Sequence, residues 1–288
     1  MATRTALITG STSGIGLATA KALAPKGWHI ILHGSTEAKC QRIRTELIQE
    51  TGNQQVDFVA ADLFLMAEVH KMCTVVRERF PQLNVLILNA GTFHVERMLT
   101  DEGLERTWAV NYLSRFLLTD QLLDTLKVNA PSRIVDVSGM YHSRGKIHFE
   151  DLTLEQDYSM SAANSQSKLA NVLFTKKLAR ELAGTGVSIN TLHPGAVNTG
   201  SFLRAEGFTR SSKFFYRLMS PFFKTPEKGA ATSVYLASSP EVQGVSGEYF
   251  VNSHPKESAK QTYDTALQDR LWEMSMERIN AYKNRSQT

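Results

Sequence analysis

The sequence predicts an α/β fold of the Rossmann type: a doubly wound parallel sheet with helices on both faces. Three observations predict it: short runs of nearly uninterrupted Val, Ile and Leu; longer amphipathic stretches alternating with them; and a glycine-rich turn directly after the first run. A parallel strand covered on both faces reads as a continuous apolar run, and its βαβ connections need helical crossovers.

In chain order, the strand-like runs fall at residues 5–9, 29–32, 56–60, 85–88, 133–137 and 188–193, and a last strand opens at Gly247. The helical stretches between them are 15–24, 36–50, 66–80, 103–126 and 164–182. Pro25 and Gly27 end the first of these. A final helix over 261–280 puts Leu267, Leu271 and Met274 on one face. No linker or repeat interrupts the pattern, so residues 1–288 read as one domain, a usual length for this architecture. Residues 200–225 depart from it: they are rich in Phe, Arg and Lys and follow a strand end, where ligands bind in open α/β sheets. They read as a lid over an apolar pocket, with an amphipathic surface excursion as the alternative.

A net charge of +4, evenly spread, gives no reason to expect nucleic acid as a partner. Cys40 and Cys73 form no metal-spaced cluster, so two reduced thiols and no metal site are expected. The N-terminus runs straight into a strand, and no apolar run reaches the roughly 18 residues that cross a bilayer. The expectation is a soluble, cytoplasmic protein.

The turn after the first strand reads Thr9-Gly10-Ser11-Thr12-Ser13-Gly14-Ile15-Gly16. Gly10 allows the tight turn, Gly14 lets backbone approach a phosphate, and Gly16 lets helix and strand pack. The helix that starts there presents free N–H groups and a positive dipole end to a pyrophosphate. Enzymes that use NAD usually carry an acid at the end of the second strand to hold the ribose 2′-hydroxyl. Here that stretch is Leu32-His33-Gly34-Ser35-Thr36, without a carboxylate. Ser35, Thr36 and Lys39 are potential donors to a 2′-phosphate, so NADP(H) is expected in preference to NAD(H).

The Thr-Gly-x-x-x-Gly-x-Gly turn resembles the fingerprint of the short-chain dehydrogenase/reductase family, and the likeness runs the length of the chain. It implies further sites. Asp62-Leu63 resembles the adenine-contacting pair, and Asn89-Ala90-Gly91 the turn beside the cofactor. Asn111 resembles the helix asparagine that holds a structural water, and Ser167-Lys168-Leu169-Ala170-Asn171 the helix with the catalytic lysine, Lys168. His193-Pro194-Gly195, with Val197 and Thr199, resembles the segment that grips the nicotinamide carboxamide. The phrase Ser-Lys-Leu-Ala-Asn-Val-Leu-Phe-Thr and the late Leu-Trp-Glu are similar to the retinol-dehydrogenase-like branch. The resemblance also implies homo-oligomers paired through the helices after strands four and five, and a small apolar molecule as substrate.

Such enzymes reduce a carbonyl with a Ser that holds the oxygen, a Tyr that donates the proton, and a Lys four residues after the Tyr that lowers its pKa. Here the tyrosine position holds Asn164, and the Val-Ser-Ser pattern reads Val137-Ser138-Gly139, which puts Gly139 where the serine belongs. An amide has no proton to give near neutral pH. Losing the acid costs roughly 10²–10⁴-fold in rate. Losing an oxyanion donor costs roughly 10²–10³-fold more. Ser138, Tyr141, His142 and Tyr158 are nearby hydroxyl and imidazole groups that could stand in for them, though no spacing demands it. Four readings stay open: a reductase of an iminium or an activated C=C bond; a non-redox cyclase, isomerase or dehydratase that uses the dinucleotide structurally; a catalytically silent NADP(H)-binding protein; or a chain whose Gly139 and Asn164 are laboratory substitutions.

Overall fold

The computed structural model describes residues 3–204 and 207–284. One sheet contains β1 (Thr5–Ile8), β2 (His29–Gly34), β3 (Val56–Ala60), β4 (Leu83–Leu88), β5 (Ser132–Val137), β6 (Val187–His193), β7 (Tyr249–Val251) and β8 (His254–Lys256). Their order is β3-β2-β1-β4-β5-β6-β7-β8. Every neighbouring pair is parallel except β7 and β8. The order reverses between β1 and β4, and a crevice opens beyond the strand ends at that point. The doubly wound fold read from the sequence is the one observed.

β8 was not among the expected strands. It follows a two-residue turn in which Asn252 and Ser253 both have positive φ (51° and 64°), as a tight hairpin requires. Its Pro255 is tolerated because β8 lies at the sheet edge.

Helices α1 (Gly14–Leu23), α2 (Glu37–Thr51), α3 (Met66–Arg79), α4 (Arg106–Trp108), α5 (Ser114–Val128), α6 (Met160–Glu181), α7 (Ser201–Arg204), α8 (Arg210–Met219), α9 (Pro226–Ser238) and α10 (Thr265–Asn284) complete the fold. One face of the sheet packs on α1, α2 and α9 through Leu23, Leu47 and Leu236. The other packs on α3, α5, α6 and α10 through Val76, Phe116, Leu173 and Ile279. The helix expected over 103–126 is three pieces: α4, a π turn over Ala109–Leu113, and α5. α6 begins at Met160 rather than 164, because the Ser159 side chain caps it by accepting from the Ala162 N–H. The buried face of α10 is Leu271, Ser275, Ile279 and Tyr282, so Met274 lies to one side of it. Of the segment 200–225, Ala205 and Glu206 fall outside the described residues. No helix among the described residues is long and apolar enough to cross a membrane.

Candidate functional site

A cleft of about 520 Å³ runs along the strand ends from Ser35 to Thr199. Its floor is the turn between β1 and α1. Gly10 (φ 64°) and Gly14 (φ 56°) hold left-handed backbone there. A Cβ on Gly10 would stand 2.9 Å from the Ala90 Cα, and one on Gly14 would stand 3.2 Å from Thr199. Ser13 precedes α1 without any side-chain cap, which leaves the first-turn amides to an anion. Gly16 faces away from the cleft, where a side chain would strike Asn89 and the Gly10 carbonyl.

Ser11, expected among the cofactor contacts, is turned inward instead. It is fully buried, and its N–H donates to the His33 carbonyl at 2.9 Å while its hydroxyl accepts from the His33 N–H at 2.9 Å. His33 is a residue whose part the sequence did not reveal. Its Nδ1 accepts from the Gly10 N–H at 3.1 Å, so its Nε2 carries the proton that points to the Ala61 carbonyl at 3.2 Å. Burial pushes its pKa down to about 4, so the ring is neutral and pins the glycine turn to β2.

Ser13, Gly14, Ile15, Ser35, Asp62, Leu63, Asn89, Ala90, Gly91, Pro194, Gly195, Val197 and Thr199 all line the cleft, as do Thr12 and Lys39. The Asn89 side chain donates to the Thr9 carbonyl at 2.8 Å and so ties the end of β4 to the glycine turn. Among the lining residues, the sole carboxylate is Asp62, at the far end of β3.

At the other end, Asn111 sits in the π turn. Its Oδ1 accepts from the Thr92 N–H at 2.7 Å, and its Nδ2 donates to the Thr92 carbonyl at 2.9 Å and to Ser167 Oγ at 3.3 Å. Asn111 therefore clamps the loop after β4 onto α6. Lys168 projects from α6 one turn after Asn164, and both line the cleft. The Lys168 amine donates to the Val137 carbonyl at 3.4 Å. Burial, reinforced by the nearby Arg115 guanidinium and opposed by Asp136, lowers its pKa to about 7. Gly139 lies against the Lys168 stem: a Cβ there would be 3.8 Å from Lys168 Cγ, ordinary contact, and φ of 170° is extended backbone open to any residue.

Ser138 lines the cleft, but its hydroxyl donates to the Lys168 carbonyl at 3.0 Å, so its proton is committed to the backbone of α6. The other groups considered as proton donors stand outside the cleft lining. Tyr141 is exposed on a 3-10 turn. His142 Nε2 accepts from the Ala259 N–H at 3.2 Å and its Nδ1 faces the Gly139 carbonyl at 2.8 Å, which fixes it as a strut between that turn and the chain after β8. Tyr158 donates to the His94 carbonyl at 2.8 Å. Each is drawn off by a backbone partner or by solvent that sequence spacing does not reveal.

Beneath the cleft, Arg115 of α5 and Asp136 of β5 form a buried ion pair, 3% and 0% exposed. Arg115 also donates to the carbonyls of Ala90 and Val137, and Asp136 accepts from Thr191 Oγ1 at 3.1 Å. The ends of β4, β5 and β6 are thereby joined under Lys168. Phe93 lines the cleft and touches Phe202 and Phe208 at ring distances of 6.5 and 6.1 Å. Phe202 stacks on Tyr216 of α8 at 4.6 Å and 10°. No group of three or more His, Cys, Asp or Glu able to hold a metal occurs among the described residues.

The elongated cleft, its uncapped helix N-terminus and its glycine floor too tight for side chains fit a dinucleotide, with the pyrophosphate at α1. That is the geometry of a nucleotide-binding α/β protein. Residues 4–206 match the short chain dehydrogenase family, to which this chain belongs. It is 42% identical over 282 residues to retinol dehydrogenase 14 of Mus musculus, covering 94% of this chain and 84% of that protein. It is 40% identical over 280 residues to polyprenol dehydrogenase of Homo sapiens, covering 95% and 84%. A variant of actinorhodin polyketide ketoreductase solved with NADPH superposes with a TM-score of 0.68 at 27% identity, over 86% of this chain and 95% of that one. The relatives are oxidoreductases by name, and this chain is an oxidoreductase of that fold.

Proposed function

We propose that the chain is an NADP(H)-dependent oxidoreductase of an apolar small molecule, working without the usual Ser and Tyr, with residues 1–288 as one domain and 200–225 as its lid. The observation that carries this reading is the coexistence of a complete dinucleotide cleft with Asn164 and Gly139 beside Lys168. What favours the phosphorylated cofactor is the end of β2: Ser35 and Lys39 line the cleft there, and the stretch 32–36 carries no carboxylate to repel a 2′-phosphate. The chemistry such a cofactor supplies is hydride exchange.

The protein's own groups then set which substrates can react. With Ser138, Tyr141, His142 and Tyr158 engaged elsewhere or outside the lining, the Lys168 ammonium is the acidic group beside Asn164, and its pKa of about 7 makes it a proton donor near neutrality. An iminium already carries the charge that a general acid would create, and an activated C=C bond takes its proton at carbon. Both suit this site better than a plain ketone. Asn164 would hold a substrate heteroatom by its amide, and the Phe93, Phe202, Phe208 and Tyr216 rings would exclude water.

The test is consumption of NADPH absorbance across a panel of imines, activated enones and ketones, by the chain as it stands and by Gly139→Ser/Asn164→Tyr. The chain should oxidise NADPH with an imine or enone and leave ketones untouched. The double variant should gain ketone reduction by at least roughly 10²-fold, the lower bound for a restored acid. Product formed without net NADPH oxidation would replace this reading with a non-redox one, and no turnover with tight NADPH binding would leave a silent binding protein.

A further inference from the structure

The lid helix α8 has two unlike sides. Its inner side reaches the aromatic cluster that includes Phe93 of the cleft wall: Tyr216 stacks on Phe202 and donates its hydroxyl to Asn198 Oδ1 at 3.1 Å. Its outer side is an unpartnered apolar ridge. Phe214, Phe215 and Leu218 are 70%, 63% and 62% exposed, and Phe222, in the 3-10 turn that follows, is 81% exposed. Phe214 and Leu218, four residues apart, share one stripe of α8, and Phe222 follows in the next turn. α8 has no buried residue.

Along α8 and its continuation the charge has one sign. Residues 207–226 hold Arg210, Lys213, Arg217 and Lys224 and no carboxylate. Lys224 is committed to Asn252 Oδ1 at 2.7 Å. Arg210, Lys213 and Arg217 make no ion pair among the described residues. A second copy would bring two cationic ridges together, which charge opposes. An anionic lipid surface meets both requirements at once: acyl chains accept the aromatic side chains, and headgroup anions accept the cations.

We propose that the outer face of α8 and its continuation to Phe222 rest on an anionic bilayer surface, with Phe214, Phe215, Leu218 and Phe222 at the acyl boundary and Arg210, Lys213 and Arg217 at headgroup depth. This contact lies on the membrane without spanning it, and an anionic cytoplasmic leaflet offers such a surface to a protein of the cytoplasm. It deepens the reading given under the proposed function, on which its last consequence rests: the inner face of the same helix connects through Tyr216 and Phe202 to Phe93 in the cleft wall, so an apolar substrate would enter from the bilayer side.

The experiment is co-sedimentation of the full chain with phosphatidylcholine vesicles, with and without phosphatidylserine. Phosphatidylserine should raise binding at least about tenfold. Arg217→Ser should cost about fivefold, the factor corresponding to roughly 1 kcal/mol per cation. Phe214→Glu/Phe222→Glu should lose binding to both vesicles while keeping its far-ultraviolet circular dichroism and its NADPH affinity, because neither ring lines the cleft. Equal binding with and without phosphatidylserine, no binding to either, or unchanged binding by the Phe variant would each overturn the proposal. So would a salt-resistant dimer dispersed by Phe222→Glu in a protein that ignores vesicles. Vesicle binding by a protein that binds no NADPH would sink the proposed function and leave the membrane contact standing.

Discussion

The Lys168 amine sits in the cleft beside Asn164 and Gly139, neither of which carries an acidic proton, so its own charge bears on what the site can do. Burial is the main cause of its lowered pKa, from 10.5 to about 7. The ammonium therefore dominates below pH 7 and the neutral amine above it. An anionic dinucleotide favours the ammonium, so affinity of the free protein for NADPH should fall as pH rises through about 7. The expected loss is roughly tenfold, the worth of one charge-assisted hydrogen bond. Calorimetric titration on either side of neutrality checks this; Lys168→Met should bind more weakly below pH 7 and show a flat profile. The three glycines were legible from their spacing after the first strand, and Lys168 and Asn111 from the family resemblance; Gly10, Gly14, Asn111 and Lys168 all line the cleft. Arg115, Asp136 and His33 were not legible, because their partners come from other strands. The trace they leave in the sequence is an acid, Asp136, inside the apolar stretch 134–137 and an imidazole near the end of β2.

Elements with strong periodicity were legible nearly to their ends: β3 over Val56–Ala60 and α3 from Met66 are where the pattern puts them. The breaks were not. Nothing in the apolar run around Trp108 announces a π turn, yet that turn aims Asn111 at Thr92. π turns cluster at functional sites for this kind of reason. The turn is set up by Glu105, whose buried carboxylate accepts from the Thr107 and Trp108 amides at 2.8 and 2.7 Å and so starts α4. Burial, its largest influence, raises the Glu105 pKa, and the two amide bonds pull it back down. Glu105→Ala strands both amides. It should cost about 2 kcal/mol, the upper end for a helix cap, because the site is buried, with Glu105 1% exposed. Denaturant unfolding measures that loss, and Glu105→Gln, which retains one acceptor, should recover about half. The Asn111 clamp should loosen with the cap, so turnover should fall further in Glu105→Ala than in Glu105→Gln. β8 and α9 were missed for a different reason: β8 is a three-residue edge strand, and α9 opens on Pro226 after the irregular lid, where neither period has room to show.

At the scale of the molecule, α10 decides what surface the fold offers to another copy. The family resemblance implies pairing through the helices after β4 and β5, which are α5 and α6. In this chain α10 lies over them. Trp272 meets Phe116 of α5 at 4.9 Å and stacks on Phe174 of α6 at 12°. Tyr112 and Ser275 share a hydrogen bond of 2.7 Å. Lys177 and Arg180 of α6 both bind Asp269, at 2.9 and 2.8 Å, and Lys283 binds Asp120 of α5. The ion pairs are partly exposed and contribute little each, so the rings and Leu271 hold the helix down. Pairing through α5 and α6 would require this cover to leave. The full chain should therefore scatter light as one copy of 32.1 kDa. Trp272→Ala should cost about 3 kcal/mol, the lower range for a large aromatic because its ring is only partly buried, and should bring concentration-dependent self-association as Phe116 and Phe174 are uncovered. Its NADPH affinity should stay, because the cleft lies at the strand ends and no residue of α10 lines it. A full chain that scatters as a dimer, and is split by Trp272→Ala, would mean that α10 is itself part of the pairing surface and no cover at all.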